Sequence, residues 1–156
     1  MTKIQHILIA TDGSEISLRA AALGGEVARA FDARVTIATV NDERAVVPEA
    51  WQLVGLQLDG SSEPISTDDI RGRMEQHALQ NQLAQTKEAT GALPSEPDLQ
   101  CLWGHPADEI VRFAEENDVG MIVIGSHGRS GIKKALLGSV SHSVANRAPC
   151  AVTIVR

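Results

Sequence analysis

Four short runs of apolar and β-branched residues constrain this chain more than anything else in it: Ile7-Leu8-Ile9-Ala10, Val35 to Val40, Val119 to Ile124 and Ala151-Val152-Thr153-Ile154-Val155. A strand with one wet face alternates apolar and polar residues, whereas a run without alternation suits a strand buried on both faces. Such strands need helices above and below them, and the stretches between the runs have helical spacing. From Ser14, a natural N-cap, Ile16, Ala20, Leu23, Val27 and Phe31 draw one stripe along a helix ending near Phe31. Gly24 and Gly25 interrupt it at a cost of about 1 kcal/mol each relative to Ala, which implies either very close packing or local weakness. Thr67 can cap a helix from Asp68 to about Thr90, although its stripe of Ile70, Met74, Ala78 and Leu83 is uneven. Leu99 to Trp103 reads as a further strand, and Pro106 opens a helix in which Ala107, Ile110, Val111 and Ala114 fall at i, i+3, i+4 and i+7. Ser139 to Asn146 is the last helix, before a strand from Cys150 to Val155.

The alternation β-α-β-α-β-α-β-α-β specifies the α/β class: an open, doubly wound, Rossmann-like sheet of five parallel strands with helices on both faces. Parallel strands require right-handed crossovers. In such sheets ligands bind beyond the carboxyl ends of the strands, where the strand order reverses. For the order 3-2-1-4-5 the reversal lies between strands one and four, which end at Asp12 and Gly125, so topology brings Asp12 to the loop after Gly125. The length of 156 residues suits one domain, 1–156. Its irregular part is 41–67, an insert carrying Trp51, a short amphipathic piece around Ala50 to Leu58, and the turn-rich Asp59-Gly60-Ser61-Ser62-Glu63-Pro64.

Function is expected between Ile122 and Ser141. There a strand ends in Gly125, glycines recur at Gly128, Gly131 and Gly138, and Ser139-Val140-Ser141 opens a helix. Glycines let backbone N–H groups approach an anion, and a helix start adds unpaired donors and partial positive charge, so the expected ligand carries phosphate. Charge agrees: after Asp118 there is no acid, only Arg129, Lys133, Lys134, Arg147 and Arg156, so this end is +5 in a chain of net charge −6. One small basic segment on an acidic protein suits a small anion and disfavours nucleic acid. Cys101 and Cys150 sit in apolar runs and read as buried small hydrophobes in a reducing compartment. The apolar run after Lys3 and His6 is too short for a leader or a membrane span, so a cytoplasmic protein with no membrane partner is expected. The loop lacks the P-loop lysine, and no G-x-S-x-G elbow or H-E-x-x-H occurs. The histidines show no metal-ligand spacing, and no side chain stands out as a catalytic base.

Gly125-x-x-Gly128, nine residues, then Gly138-Ser139 resembles the nucleotide loop of the universal stress protein family, in its ATP-binding branch. The resemblance extends to Asp12-Gly13-Ser14 after strand one, Val40-Asn41-Asp42 after strand two and Gly104-His105-Pro106 before the third helix. It implies a regulatory or stress-response protein that binds ATP, with any Mg²⁺ held mainly by the phosphates, and an unknown protein partner. It also implies a homodimer paired through strand 150–155. Carried onto this chain, the backbone of Ala10 and Thr11 and the side chain of Val40 would flank adenine, with Ile124 below. Asp12 would accept from the ribose hydroxyls. Gly125, His127, Gly128 and Arg129 would line ribose and phosphates, and Gly138, Ser139, Val140 and Ser141 would cradle the phosphates. Asp12 could instead be a helix cap, Val40 plain core, and His127 a solvated loop residue. Two other readings stand beside regulation: slow ATP hydrolysis or autophosphorylation on Ser139 or Ser141, and a nucleotide-independent dimeric scaffold.

Overall fold

A computed structural model describes residues 4–42, 67–128 and 137–156. The expected insert at 41–67 therefore lies almost wholly outside the described residues, as does Arg129. Five parallel strands form one sheet in the order β3-β2-β1-β4-β5: β1 His6–Ala10, β2 Arg34–Asn41, β3 Asp98–Trp103, β4 Met121–Gly125 and β5 Ala151–Val155. Ala10 pairs with Ala38 on one side and with Ile124 on the other, which levels the carboxyl ends of the three central strands.

The unalternating runs are buried on both faces because each face has its own core. Ile7 and Ile9 join Val35, Ile37 and Val123 beneath α1 (Glu15–Phe31) and the helical segment 67–90, while Leu8, Ala10, Ala38, Ile122 and Ile124 lie beneath α4 (Pro106–Glu116) and α5 (Ser139–Arg147). Ser14 caps α1, accepting from the Ser17 N–H at 3.3 Å. Gly24 and Gly25 mark close packing: a Cβ at Gly24 would lie 2.7 Å from Ile9 Cδ1, and one at Gly25 would lie 2.1 Å from the Thr90 carbonyl oxygen.

The uneven stripe of the 67–90 helix has a local cause. The helix is α2 (Thr67–Ala78), a π-helical turn over Leu79–Leu83, and α3 (Ala84–Thr90). Spacings of four from Ile70 to Ala78 become five at Leu83, and the wider π-turn absorbs the extra residue so that Ile70, Ala78 and Leu83 are all buried. Thr67, expected as the cap, is itself the first residue of the helix.

Two of the expected strands begin later than their apolar runs. Val119 and Gly120 belong to a turn rather than to β4: Asp118 takes the left-handed conformation (φ 52°), the Val119 N–H donates to the Ala114 carbonyl, and the Gly120 N–H to the His6 carbonyl. This is a Schellman-type helix end with Asp in place of the usual Gly, and Asp32 closes α1 in the same way. Cys150 lies just outside β5. Both cysteines are free and sit at opposite edges of the sheet, with Cys101 on β3. Burial, and then the Glu75 carboxylate, push the Cys101 thiol up to about 11. Among the described residues no helix is long and apolar enough to cross a membrane.

Candidate functional site

Helices that follow parallel strands start at the carboxyl edge of the sheet, so the N-termini of α1, α4 and α5 converge there. They enclose a cavity of about 570 Å³ at the reversal point between β1 and β4. Ala10, Ala38, Val40, Pro106, Ile110 and Ile124 supply apolar walls, and Thr11, Asp12, Ser17, Ser126, His127, Ser139, Ser141 and His142 supply polar ones. Gly125, Gly128, Leu137, Gly138 and Val140 complete the lining. Every residue expected at the site on sequence grounds lines this cavity, except Arg129, which lies outside the described residues.

The wall at the end of β1 is built by local hydrogen bonds. Thr11 continues the ladder through its N–H to the Ala38 carbonyl at 2.9 Å, and its Oγ1 accepts from the Gly13 N–H. The same Oγ1 lies 3.1 Å from Ser17 Oγ and 2.9 Å from Thr86 Oγ1, a buried chain of hydroxyls running from the cavity wall into α3. Asp12 is not the cap of α1, which is Ser14. Its Oδ1 accepts from the Ser14 N–H at 3.0 Å, forming an Asx turn that orients the carboxylate.

Glycines on the opposite wall serve packing more directly than ligand approach. A Cβ at Gly125 would lie 2.8 Å from Ile16 Cγ2, at Gly128 2.9 Å from Asp12 Oδ2, and at Gly138 2.9 Å from the Ser126 carbonyl oxygen. Gly138 is thus small because the loop after β4 presses on the start of α5, and its φ of −63° would suit any residue. The close approach is sealed by the Gly138 N–H to the Ser126 carbonyl at 2.7 Å and by Ser141 Oγ to the same carbonyl at 2.9 Å. Ser126 also donates its N–H to the Val155 carbonyl at 2.7 Å, so this one residue ties β4, β5 and α5 together.

Among the described residues no side chain caps α5. Helix geometry leaves the first N–H groups without intrahelical partners, and here they stand at the cavity rim. Ser139 is exposed there, whereas the Ser141 hydroxyl is buried against Ser126 and Gly138. His127 Nδ1 lies 2.9 Å from Ser126 Oγ, and its buried Nε2 has no hydrogen-bond partner among the described residues. An unmet buried polar atom costs about 1–3 kcal/mol, so this wall is left short of a partner. Among the described lining residues the only carboxylate is Asp12, and there is no Lys or Arg. The described residues contain no cluster of His, Cys, Asp and Glu suited to a metal ion.

Sequence reasoning missed Ser17, Ala38, Pro106, Ile110, Ser126, Leu137 and His142 as cavity residues. Three had a usable signal. Ala38 lies two residues before Val40 and so shares its sheet face, while Pro106 and Ile110 lie in the first two turns of a helix whose start must face the crevice. Ser126 and His142 depend on side-chain geometry that no spacing reveals.

Comparison with known proteins matches residues 3–156 to the universal stress protein family model. A universal stress protein of Methanocaldococcus jannaschii is 38% identical over 152 residues, covering 97% of this chain and 82% of the relative. One from Bacillus subtilis is 33% identical over 150 residues, 96% of this chain and 97% of the relative. Among solved structures, a universal stress protein in complex with cAMP superposes with a TM-score of 0.68 at 28% identity, covering 99% of each chain.

Proposed function

The chain belongs to the universal stress protein family, and from that premise and the shape of its cavity we propose that it is an adenine-nucleotide-binding regulatory protein whose ligand is ATP. The single observation that carries this reading is the cavity itself. Its volume lies in the range of small-ligand sites, its floor is apolar, and its rim combines an oriented carboxylate with a helix start that no described side chain caps. An adenine ring suits the slot between Val40 and Ile124, the small side chains of Ala10 and Ala38 leaving room for a flat ring. Ribose hydroxyls suit Asp12, whose two oxygens accept. Phosphates suit the N–H groups of Ser139, Val140 and Ser141. The relative solved with cAMP supports an adenine nucleotide as the ligand class.

ATP brings its own Mg²⁺, and no residue is assigned to hold the metal. Among the described lining residues no side chain stands out as a general base for water, which favours binding over rapid hydrolysis. If a phosphoryl group were transferred to the protein, the acceptor would be Ser139, because the Ser141 hydroxyl is committed to backbone carbonyls. Denaturing the purified protein and separating what it releases tests the proposal. An intact adenine nucleotide is expected, and a stripped protein that takes up no ATP contradicts it.

We further propose that β5, an edge of the described sheet with a proline-free sequence, pairs antiparallel with the same strand of a second copy. Light scattering over a dilution series should show a dimer. A monomer at about 10⁻⁵ M, weaker than roughly −7 kcal/mol, would contradict the pairing.

A further inference from the structure

His142 stands at the rim of the cavity in a position that the glycine pattern does not reveal. Its backbone N–H donates to the Gly138 carbonyl at 2.9 Å and closes the first turn of α5, so the ring sits one turn from the unpaired N–H groups of the helix start. Asn146 lies one turn further on, and its side-chain nitrogen donates twice, to the His142 carbonyl at 3.0 Å and to ring Nε2 at 3.1 Å. An amide NH₂ group only donates, so Nε2 is an acceptor and the ring proton resides on Nδ1. With Nε2 taken up by the Asn146 amide, Nδ1–H is the ring donor left to His142.

The surroundings give that donor a use. Among the described lining residues Asp12 is the only carboxylate and there is no Lys or Arg, so the donors these residues offer an anion are neutral hydroxyl, backbone and imidazole N–H groups. Resting on the nucleotide reading above, we propose that His142, positioned by Asn146, donates Nδ1–H to a phosphate oxygen of the nucleotide and sets the preference for a phosphorylated adenosine over adenosine itself. The helix N–H groups would bind the phosphate through fixed backbone dipoles, and His142 adds a side-chain donor whose ring Asn146 orients.

The test is calorimetric titration of the full chain with AMP and with adenosine. Wild type should prefer AMP. His142→Phe keeps the ring bulk and removes the donor, so AMP affinity should fall about tenfold, the size of a lost hydrogen bond to a charged group, while adenosine affinity stays within about twofold. His142→Asn restores an N–H near the position of Nδ1 and should recover most of the loss. Imidazole ¹⁵N spectra provide a readout independent of affinity: without ligand the proton should sit on Nδ1, and it should shift on addition of AMP but not of adenosine. The proposal is overturned if His142→Phe weakens both ligands equally or neither, or if Nε2 carries the proton. A wild type that binds neither of these nor ATP overturns the nucleotide reading as well, so the two failures are distinguishable.

Discussion

The two ends of this sheet are built from the same strands and treat their polar groups in opposite ways. At the amino end His6 is 3% exposed and both ring nitrogens are met. Nδ1 donates to the Asn117 carbonyl at 3.0 Å, and Nε2 accepts from the Thr36 hydroxyl at 2.8 Å. Arg34 donates to the same carbonyl, Phe113 packs edge-on against the imidazole, and left-handed Asp32 and Asp118 close α1 and α4. At the carboxyl end, among the described residues, α5 starts without a side-chain cap and His127 has a buried nitrogen with no partner, and a cavity separates the walls. Completed hydrogen bonding stabilises the first end. Under the proposed reading a ligand supplies what the second leaves unmet, so that one fold would carry stability and recognition at opposite edges.

The largest effect should come from closing the second end. Gly138→Val places a Cβ 2.9 Å from the Ser126 carbonyl oxygen, so the loop after β4 must move away from α5. We expect ATP affinity to fall by about a hundredfold or more, with a stability loss of roughly 1–3 kcal/mol. Titration calorimetry and thermal melting on the same sample separate the two, and undiminished affinity would remove the α5 start from the site.

Asp12 should matter next. Asp12→Ala deletes both the Asx turn to Ser14 and the proposed ribose acceptor, and about a tenfold loss of ATP affinity is expected. Asp12→Asn keeps an Oδ1 acceptor for the Ser14 N–H, so the loss it retains isolates the ribose contact. Wild type should favour ATP over its 2′-deoxy analogue, and both variants should discriminate less. Equal discrimination in all three proteins would leave Asp12 as a turn residue only.

The smallest effect lies at the satisfied end. Burial, first, and then the Arg34 charge hold His6 below the ordinary imidazole value, against the raising influence of the Asn117 carbonyl, Asp98 and Asp118. Protonating Nε2 would also force the Thr36 hydroxyl to turn away. Because the folded value is the lower one, the unfolded chain binds the proton first as pH falls. The His6 contribution is therefore fully present above about pH 6.5 and is lost as pH drops through the window toward the folded value, by no more than about 1.4 kcal/mol per unit. Denaturant melts from pH 7.5 to 5 should show this slope, and His6→Gln should flatten it. An unchanged slope in the variant would assign it to other groups.

Much of this contrast was legible in the sequence because it rests on period and order. Strands buried on both faces showed as runs without alternation, and their sequence order placed Asp12 beside Gly125. What stayed hidden depends on individual approach distances. Gly125 and Gly138 look like ligand-facing glycines, yet each is small because another part of the protein presses on it. The π-turn was visible only as a disturbed stripe, since a single added residue shifts the phase without breaking the helix. The left-handed helix ends at Asp32 and Asp118 escaped notice because Gly is the usual residue there. Ser126 joins three elements through its backbone, and backbone bonds leave no mark on residue type.

Amide ¹H–¹⁵N spectra recorded while ATP is added to nucleotide-free protein test most directly whether recognition resides at the carboxyl edge alone. The account predicts saturable shifts at Ala10 to Asp12, Val40, Ile124 to Gly128 and Gly138 to His142, with His6, Arg34 and Asn117 unmoved. Absence of saturable shifts, or shifts centred on the amino-end residues, would contradict it.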